Sequence, residues 1–387
     1  MSKRVLVGTR KGSFAIEKID GEWKPRLLGH GGQGVNFLAR DPDSNTLWAA
    51  LGHGHWGAKL SRSTDGGETW ADAAQIAYPE GARHFLPPPP SEDGSTGAVT
   101  LQDATLLKLW VIAFGPEQRI YVGTIPGGLF VSSDGGESFE LNRPLWSHES
   151  RGGDLFEGEG SGETHWFGTP AAADTGEFAP GIHSIAVDRQ NPGRILVAIS
   201  TAGVLESTDG GETWHNRNKG MLNDYLPDPA AEWGHDPHFV ELCAEQPEHV
   251  WQQNHSGVFY SSDGAKTWTR VSDPDNGVHF GFPIAVDPKD GRSAWVVPGH
   301  SDMARMAIDG GIFVARTSDG GQSWTQLRTG LPQENAYDVV YRHALHYDED
   351  CLAFGSTTGN LYVSEDRGDT WVTVANNLPP VYSVRFG

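Results

Sequence analysis

The sequence predicts a seven-bladed β-propeller, and three observations carry that prediction. A short acidic box recurs six times along the 387 residues. The same succession of apolar runs and tight turns precedes every box. The two ends of the chain hold complementary parts of one further unit.

The boxes read STDGGETW (63–70), SSDGGESF (132–139), STDGGETW (207–214), SSDGAKTW (261–268), TSDGGQSW (317–324) and SEDRGDTW (364–371). Before the third box the chain runs IHSIAV, DRQNPGR, ILVAIS, TAG and VLES over residues 182–207. Short apolar, β-branched runs punctuated by Asn, Pro and Gly read as strands and turns. Three such runs, the box and a following strand make a four-stranded antiparallel meander. The copies place six blades at 35–70, 108–139, 182–214, 238–268, 282–324 and 338–371. A seventh is split between the ends: VYSVRF, within 381–387, supplies an innermost strand, and residues 4–23 supply the others. Joining the termini in one blade closes the ring and leaves no free sheet edge.

Composition agrees. Fifty Gly and 24 Pro suit many tight turns and oppose long helices. No apolar run approaches the roughly 20 residues of a membrane span. The opening MSKRVLVGTRKG has no apolar stretch of the secretory type, so the expected location is cytoplasmic. A net charge of −21 disfavours nucleic acid and anionic membranes as partners and suits cations, although solubility alone also explains it. Cys243 and Cys351 fall two blades apart, so no disulfide is expected.

The S-x-D-x-G-x-T-W pattern resembles the Asp-box, or BNR repeat, of sialidases, sortilin-type receptors, xyloglucan hydrolases and photosystem assembly factors. GTRKGSF (8–14) is similar to the opening of bacterial sialidase-like BNR-repeat proteins. The resemblance spans essentially the whole chain and implies the fold; activity varies across the propellers that carry it. It also implies that the boxes lie on the turn between third and fourth strands, opposite the active face.

Within a box the acid can accept hydrogen bonds from its own turn, while Gly takes positive-φ positions. Trp70, Phe139, Trp214, Trp268, Trp324 and Trp371 repeat an aromatic at one place per blade, which suits packing between sheets. A reaction needs one or two acids, so Asp65, Asp134, Asp209, Asp263, Asp319 and Asp366 are expected to be structural.

With the boxes on one face, strand alternation puts the loops between second and third strands, and the interblade linkers, on the other. Two linkers there, 71–107 and 140–181, are long. The acidic stretch with Glu157, Glu159 and Glu163 reads equally as a lid or as a solvated insertion. Aligning the blades brings His183, His238, His255 and His300 to one mouth, with Asp236, Asp302 and Glu232 near them in sequence. Converging imidazoles suit a divalent transition metal such as Zn²⁺, Mn²⁺ or Fe²⁺, and equally a polar, hydrogen-bonded channel; no organic cofactor is expected. Tyr382, Arg10 and His53 occupy ring positions at the same mouth and are the candidate catalytic side chains. Lys11, Arg83 and Arg151 share the face, the last two as surface charges.

Sialidase activity is not expected: the chain has no R-I-P stretch, counts seven blades, and offers Arg10 rather than three arginines. Two readings remain. The first is a metal-assisted hydrolase or lyase acting on a sugar or other small polar molecule; propeller lyases of uronic sugars are similar in holding a metal by histidines. The second is a non-catalytic binding or assembly scaffold. Clustered histidines favour the first. Oligomeric state is not legible.

Overall fold

The computed structural model describes residues 4–53, 57–86, 100–156, 160, 164–166 and 179–387. Within them lie seven four-stranded antiparallel sheets and a small hairpin, Arg83–Leu86 with Thr100–Asp103. Blade 1 comprises Gly34–Arg40, Leu47–His53, Gly57–Ser63 and Ala71–Asp72. Blade 2 comprises Lys108–Phe114, Ile120–Ile125, Leu129–Ser132 and Glu140–Leu141. Blade 3 comprises Ile182–Val187, Ile195–Ile199, Gly203–Ser207 and His215–Asn216. Blade 4 comprises Pro237–Leu242, Val250–Asn254, Gly257–Ser261 and Thr269–Arg270. Blade 5 comprises Gly281–Val286, Ala294–Pro298, Val314–Thr317 and Thr325–Leu327. Blade 6 comprises Leu345–Asp348, Cys351–Gly355, Leu361–Ser364 and Val372–Ala375. Blade 7 runs, from the inside outward, Val381–Phe386, Arg4–Thr9, Gly12–Ile19 and Glu22–Gly29, so the termini close the ring.

Blades 1 to 6 each extend a short outer strand past the box, and blade 7 ends on the longer Glu22–Gly29. Second strands such as ILVAI (195–199) are buried throughout because neighbouring sheets cover both faces, which is why they read as unbroken apolar runs. Both cysteines are buried free thiols.

The boxes are scaffolding. Asp209 accepts from the Thr213 amide (2.9 Å), the Thr213 hydroxyl (2.5 Å) and the Ser207 hydroxyl (2.8 Å). The same set recurs at the other five box aspartates. These bonds favour the ionised form; led by the Ser323 hydroxyl, they hold Asp319 down at about 2. Box tryptophans then reach back one blade. The indole N–H of Trp70 donates to Leu28 O (3.2 Å), Trp268 to Arg217 O (2.7 Å) and Trp324 to Val271 O (2.8 Å). Gly136, at φ 87°, lies where a Cβ would collide with the Trp48 indole of the preceding blade, so residue 136 needs glycine, whereas the equivalent position in blade 4 holds Ala265 at φ 66°.

Blade 6 departs from the sequence expectation. Its inner strand was expected from residue 338 and starts at Leu345. The Thr357 amide donates to Val339 O (2.9 Å), and the Ala344 amide closes a turn on Tyr341 O (3.0 Å), so 338–344 leave the sheet. The turn directs His343 into the central channel. There its Nε2 donates to His183 O (2.5 Å), and its ring stands edge-on to Phe37 (5.1 Å) and Phe239 (5.5 Å).

Candidate functional site

The mouth opposite the boxes is built chiefly by blade 4. Asp236 and His238 flank the start of its inner strand, and His255 follows its second strand. One ligand atom from each lies within 4.8 Å of the others. Asp236 Oδ2 is 3.6 Å from His238 Nε2 and 3.5 Å from His255 Nδ1. On its far side His255 Nε2 faces Asp302 Oδ2 at 3.3 Å, and Asp302 is held by Arg305 at 2.5 Å. Phe280 and Phe282 wall His238, and Tyr225 meets the His255 ring edge-on at 4.9 Å.

His238 Nδ1 lies 2.6 Å from Gly281 O, a carbonyl that only accepts, so Nδ1 carries the proton. Burial keeps the His238 ring below the usual imidazole range, partly offset by Asp236. The other ring nitrogen, Nε2, faces Asp236. Burial opposes ionisation of Asp236, but the two imidazoles beside it hold its carboxyl well below the usual range. His255 lies between two carboxylates, Asp236 and Asp302. Two imidazoles with one carboxylate suit a borderline divalent ion.

A second group lies beside it. Lys108 Nζ and Arg342 Cζ each lie 5.1 Å from the Trp110 ring centre, and Arg342 is 5.3 Å from Phe282. Among the described residues neither cation has a hydrogen bond or ion pair, and Arg342 Nε is buried without an acceptor. Burial and the neighbouring Arg342 bring the Lys108 ammonium down to about 8. Burial, partly offset by Asp236, brings Arg342 to about 10.

The predicted residues separate. His238 and His255 meet at the cluster. His183 is fully buried against Trp110 (5.1 Å), with both ring nitrogens unpartnered, and is not among the converging ligand atoms. His300 is exposed and lines a different cavity, with Met306, Asp309, Glu334 and Tyr337. Tyr382 is half-buried with its ring 5.7 Å from Tyr341. Arg10 is exposed in the turn between the two middle strands of blade 7. His53 ends a strand, and its side chain lies outside the described residues. Glu232 accepts from Asn216 (2.8 Å). Glu157, Glu159 and Glu163 also lie outside the described residues. Arg151 is no surface charge: it is buried over Trp146 (3.6 Å) and Trp166 (4.6 Å) and donates to Gly127 O. A cation stacked between two indoles cannot be told from a solvated one in sequence. Arg342 was missed because it sits in the irregular segment; Lys108 showed only as a ring position.

The repeat itself matches a known family model, BNR/Asp-box repeat, over residues 205–216. The chain is a seven-bladed Asp-box β-propeller. This propeller is 28% identical over 227 residues to the oligoxyloglucan-reducing end-specific xyloglucanase of Emericella nidulans, covering 54% of the chain and 24% of that protein. It is 24% identical over 188 residues to a xyloglucanase of Paenibacillus sp, covering 42% of the chain and 17% of that protein. The chain thus spans a quarter or less of the curated relatives it matches. Among solved structures, an ancestral GH74 enzyme superposes with a TM-score of 0.57 at 18% identity, over 95% of this chain and 40% of that one. That likeness concerns the fold.

Proposed function

We propose that the mouth is a metal-assisted hydrolytic centre for a sugar or other small polar substrate. The observation that carries this reading is the convergence of Asp236, His238 and His255, one ligand atom of each within 4.8 Å of the others, on the face opposite the boxes. The xyloglucanase relatives support a glycan as the substrate class.

Asp236, His238 and His255 would hold the ion. A bound divalent metal supplies Lewis-acid polarisation of a substrate oxygen and lowers the pKa of a coordinated water. Gly281 O fixes the ring orientation of His238, and Asp302, itself held by Arg305, fixes His255. Phe280 and Phe282 exclude water beside the ligands, which strengthens every electrostatic interaction there. Tyr382, at the same mouth with Tyr341, is the side chain proposed to move a proton to or from the substrate.

The test is elemental analysis of untagged protein after chelation and reloading with Zn²⁺, Mn²⁺ or Fe²⁺. About one equivalent is expected to be retained by the parent. His238→Ala and His255→Ala are expected to lose it while keeping the far-ultraviolet dichroism of a folded sheet protein. A parent that retains no metal, or variants that retain as much as the parent, would refute the centre and leave a binding scaffold.

A further inference from the structure

The group beside the ligand cluster has no role in holding a metal, and its composition is costly for a folded protein. Lys108 and Arg342 are half-buried like charges sharing one indole; among the described residues neither forms an ion pair or hydrogen bond, and Asp236 acts on Arg342 only through space. Cation–π contact with Trp110 and Phe282 offsets part of the desolvation and holds the guanidinium plane, but it leaves the N–H edges unspent. His183, buried completely next to them, adds two ring nitrogens with no partner. Buried polar atoms are almost always satisfied, so several orphans in one place mark a site whose partner comes from outside.

Charge points to the kind of partner. Counting histidines as neutral, Lys108 and Arg342 against Asp236 leave the inner mouth at one net positive charge, Asp302 being matched by Arg305. A divalent ion on Asp236 would raise that to three. In a chain of net charge −21, this is an isolated positive spot at the end of a channel. An Arg edge and a Lys ammonium side by side suit a carboxylate or phosphate, which accepts two or more charge-assisted hydrogen bonds.

We infer that the mouth binds a substrate bearing an anionic group, carboxylate or phosphate, held between Lys108 and Arg342. The inference rests on reading the mouth as the substrate site, but it does not need the metal. A sugar acid or sugar phosphate fits better than a neutral sugar, because a neutral ligand leaves the two cations uncompensated.

Calorimetric titration of metal-stripped protein with D-glucuronate, D-glucose 6-phosphate and D-glucose tests it. At least one anion is expected to bind about tenfold or more tightly than glucose, and the tighter of the two identifies the group. Lys108→Met and Arg342→Met should each weaken that anion about tenfold and leave glucose unchanged. Lys108→Met should also raise the melting temperature of the ligand-free protein, because it removes a half-buried charge repelled by Arg342; this readout shows the variant is folded. Binding of glucose as tight as either anion, absence of anion binding, or variants that bind the anion as the parent does would overturn the inference. Anion preference without retained metal removes only the hydrolytic centre, and metal retention without anion preference removes only this assignment.

Discussion

Glu206 joins two arginines at once, and Glu206→Gln measures what holds blade 3 against the blade that carries the site. Its carboxylate is 4% exposed and lies 2.7 Å from Arg194 Nε and 2.6 Å from Arg217 Nε. Arg194 continues across the interface to Pro247 O (2.7 Å) and Gly264 O (3.0 Å) of blade 4. With Asp188 at 3.5 Å from Arg194 the cluster is neutral: two acids and two bases. Glutamine can accept from one arginine but presents an N–H₂ to the other, and one positive charge is left uncompensated. A charge-assisted hydrogen bond contributes about 1.5–3 kcal/mol, and removing one partner of a buried pair costs about 3–5 kcal/mol. The expected loss is therefore about 3 kcal/mol. With an unfolding entropy of about 2.1 cal/mol/K per residue, a chain of this length should lose roughly 4 °C in melting temperature. Calorimetry and urea unfolding followed by tryptophan fluorescence give the two values. A loss below about 1 kcal/mol would place the network with exposed surface pairs and refute the argument. Arg217→Met in the same background should cost less than it does alone, because its partner is already gone.

Two further predictions concern pH. Burial, then Arg385, holds His346 down at about 3, and burial, then Arg151, holds His84 at about 4. Both rings stay neutral in the fold while the unfolded chain takes up protons below about 6.5, so stability falls as pH drops from there toward 4. His346→Asn keeps an acceptor for the Phe386 amide and should flatten that slope by about 1.4 kcal/mol per pH unit; an unchanged slope refutes the assignment. Glu241 lines a cavity with Ile185 and Arg385 toward the box face, its carboxyl pushed up to about 7 by burial, partly offset by Arg385. The proton it holds there stabilises the fold at low pH, and that contribution is lost as pH rises through 7. Glu241→Gln should therefore gain on the order of 2 kcal/mol over the parent at pH 8 and little at pH 5, and a gap independent of pH would contradict this.

The scaffold was legible because its determinants are local. An acid, a Gly and a hydroxyl residue within eight positions make their own turn; the repetition of that turn located six blades, and the apolar runs at the two ends gave the seventh and its closure. Of the candidate site, His238 and His255 were legible because they sit next to regular strands, where alignment locates the backbone well. Alignment does not give side-chain direction. His300 holds the ring position matching His255, yet its amide bonds to Met306 O at the start of a long excursion and its side chain is exposed. Asp236 lies one residue before its strand and was seen only as a neighbour. The turn within 338–344 contains neither Gly nor Pro, so nothing in DVVYRHAL distinguishes it from a strand.

That irregular segment explains how a symmetric ring acquires a single site. Seven equivalent blades leave a central channel lined alike all round, and a site needs groups that no blade repeats. Blade 6 supplies them by starting its inner strand late: the freed residues bring Arg342 to the mouth and His343 across the channel to His183 O. Below His343, flanked by Phe37 and Phe239, lies a separate cavity of about 250 Å³ toward the box face, lined in part by Ile185, Glu241 and Arg385. His343 thus divides the channel, so a substrate held at Lys108 and Arg342 must enter and leave by the mouth that carries Asp236, His238 and His255. His343→Ala should join the two compartments. It is expected to leave metal retention intact, because among the described residues His343 touches none of the three ligands, and to loosen the anion by freeing the segment that carries the neighbouring Arg342.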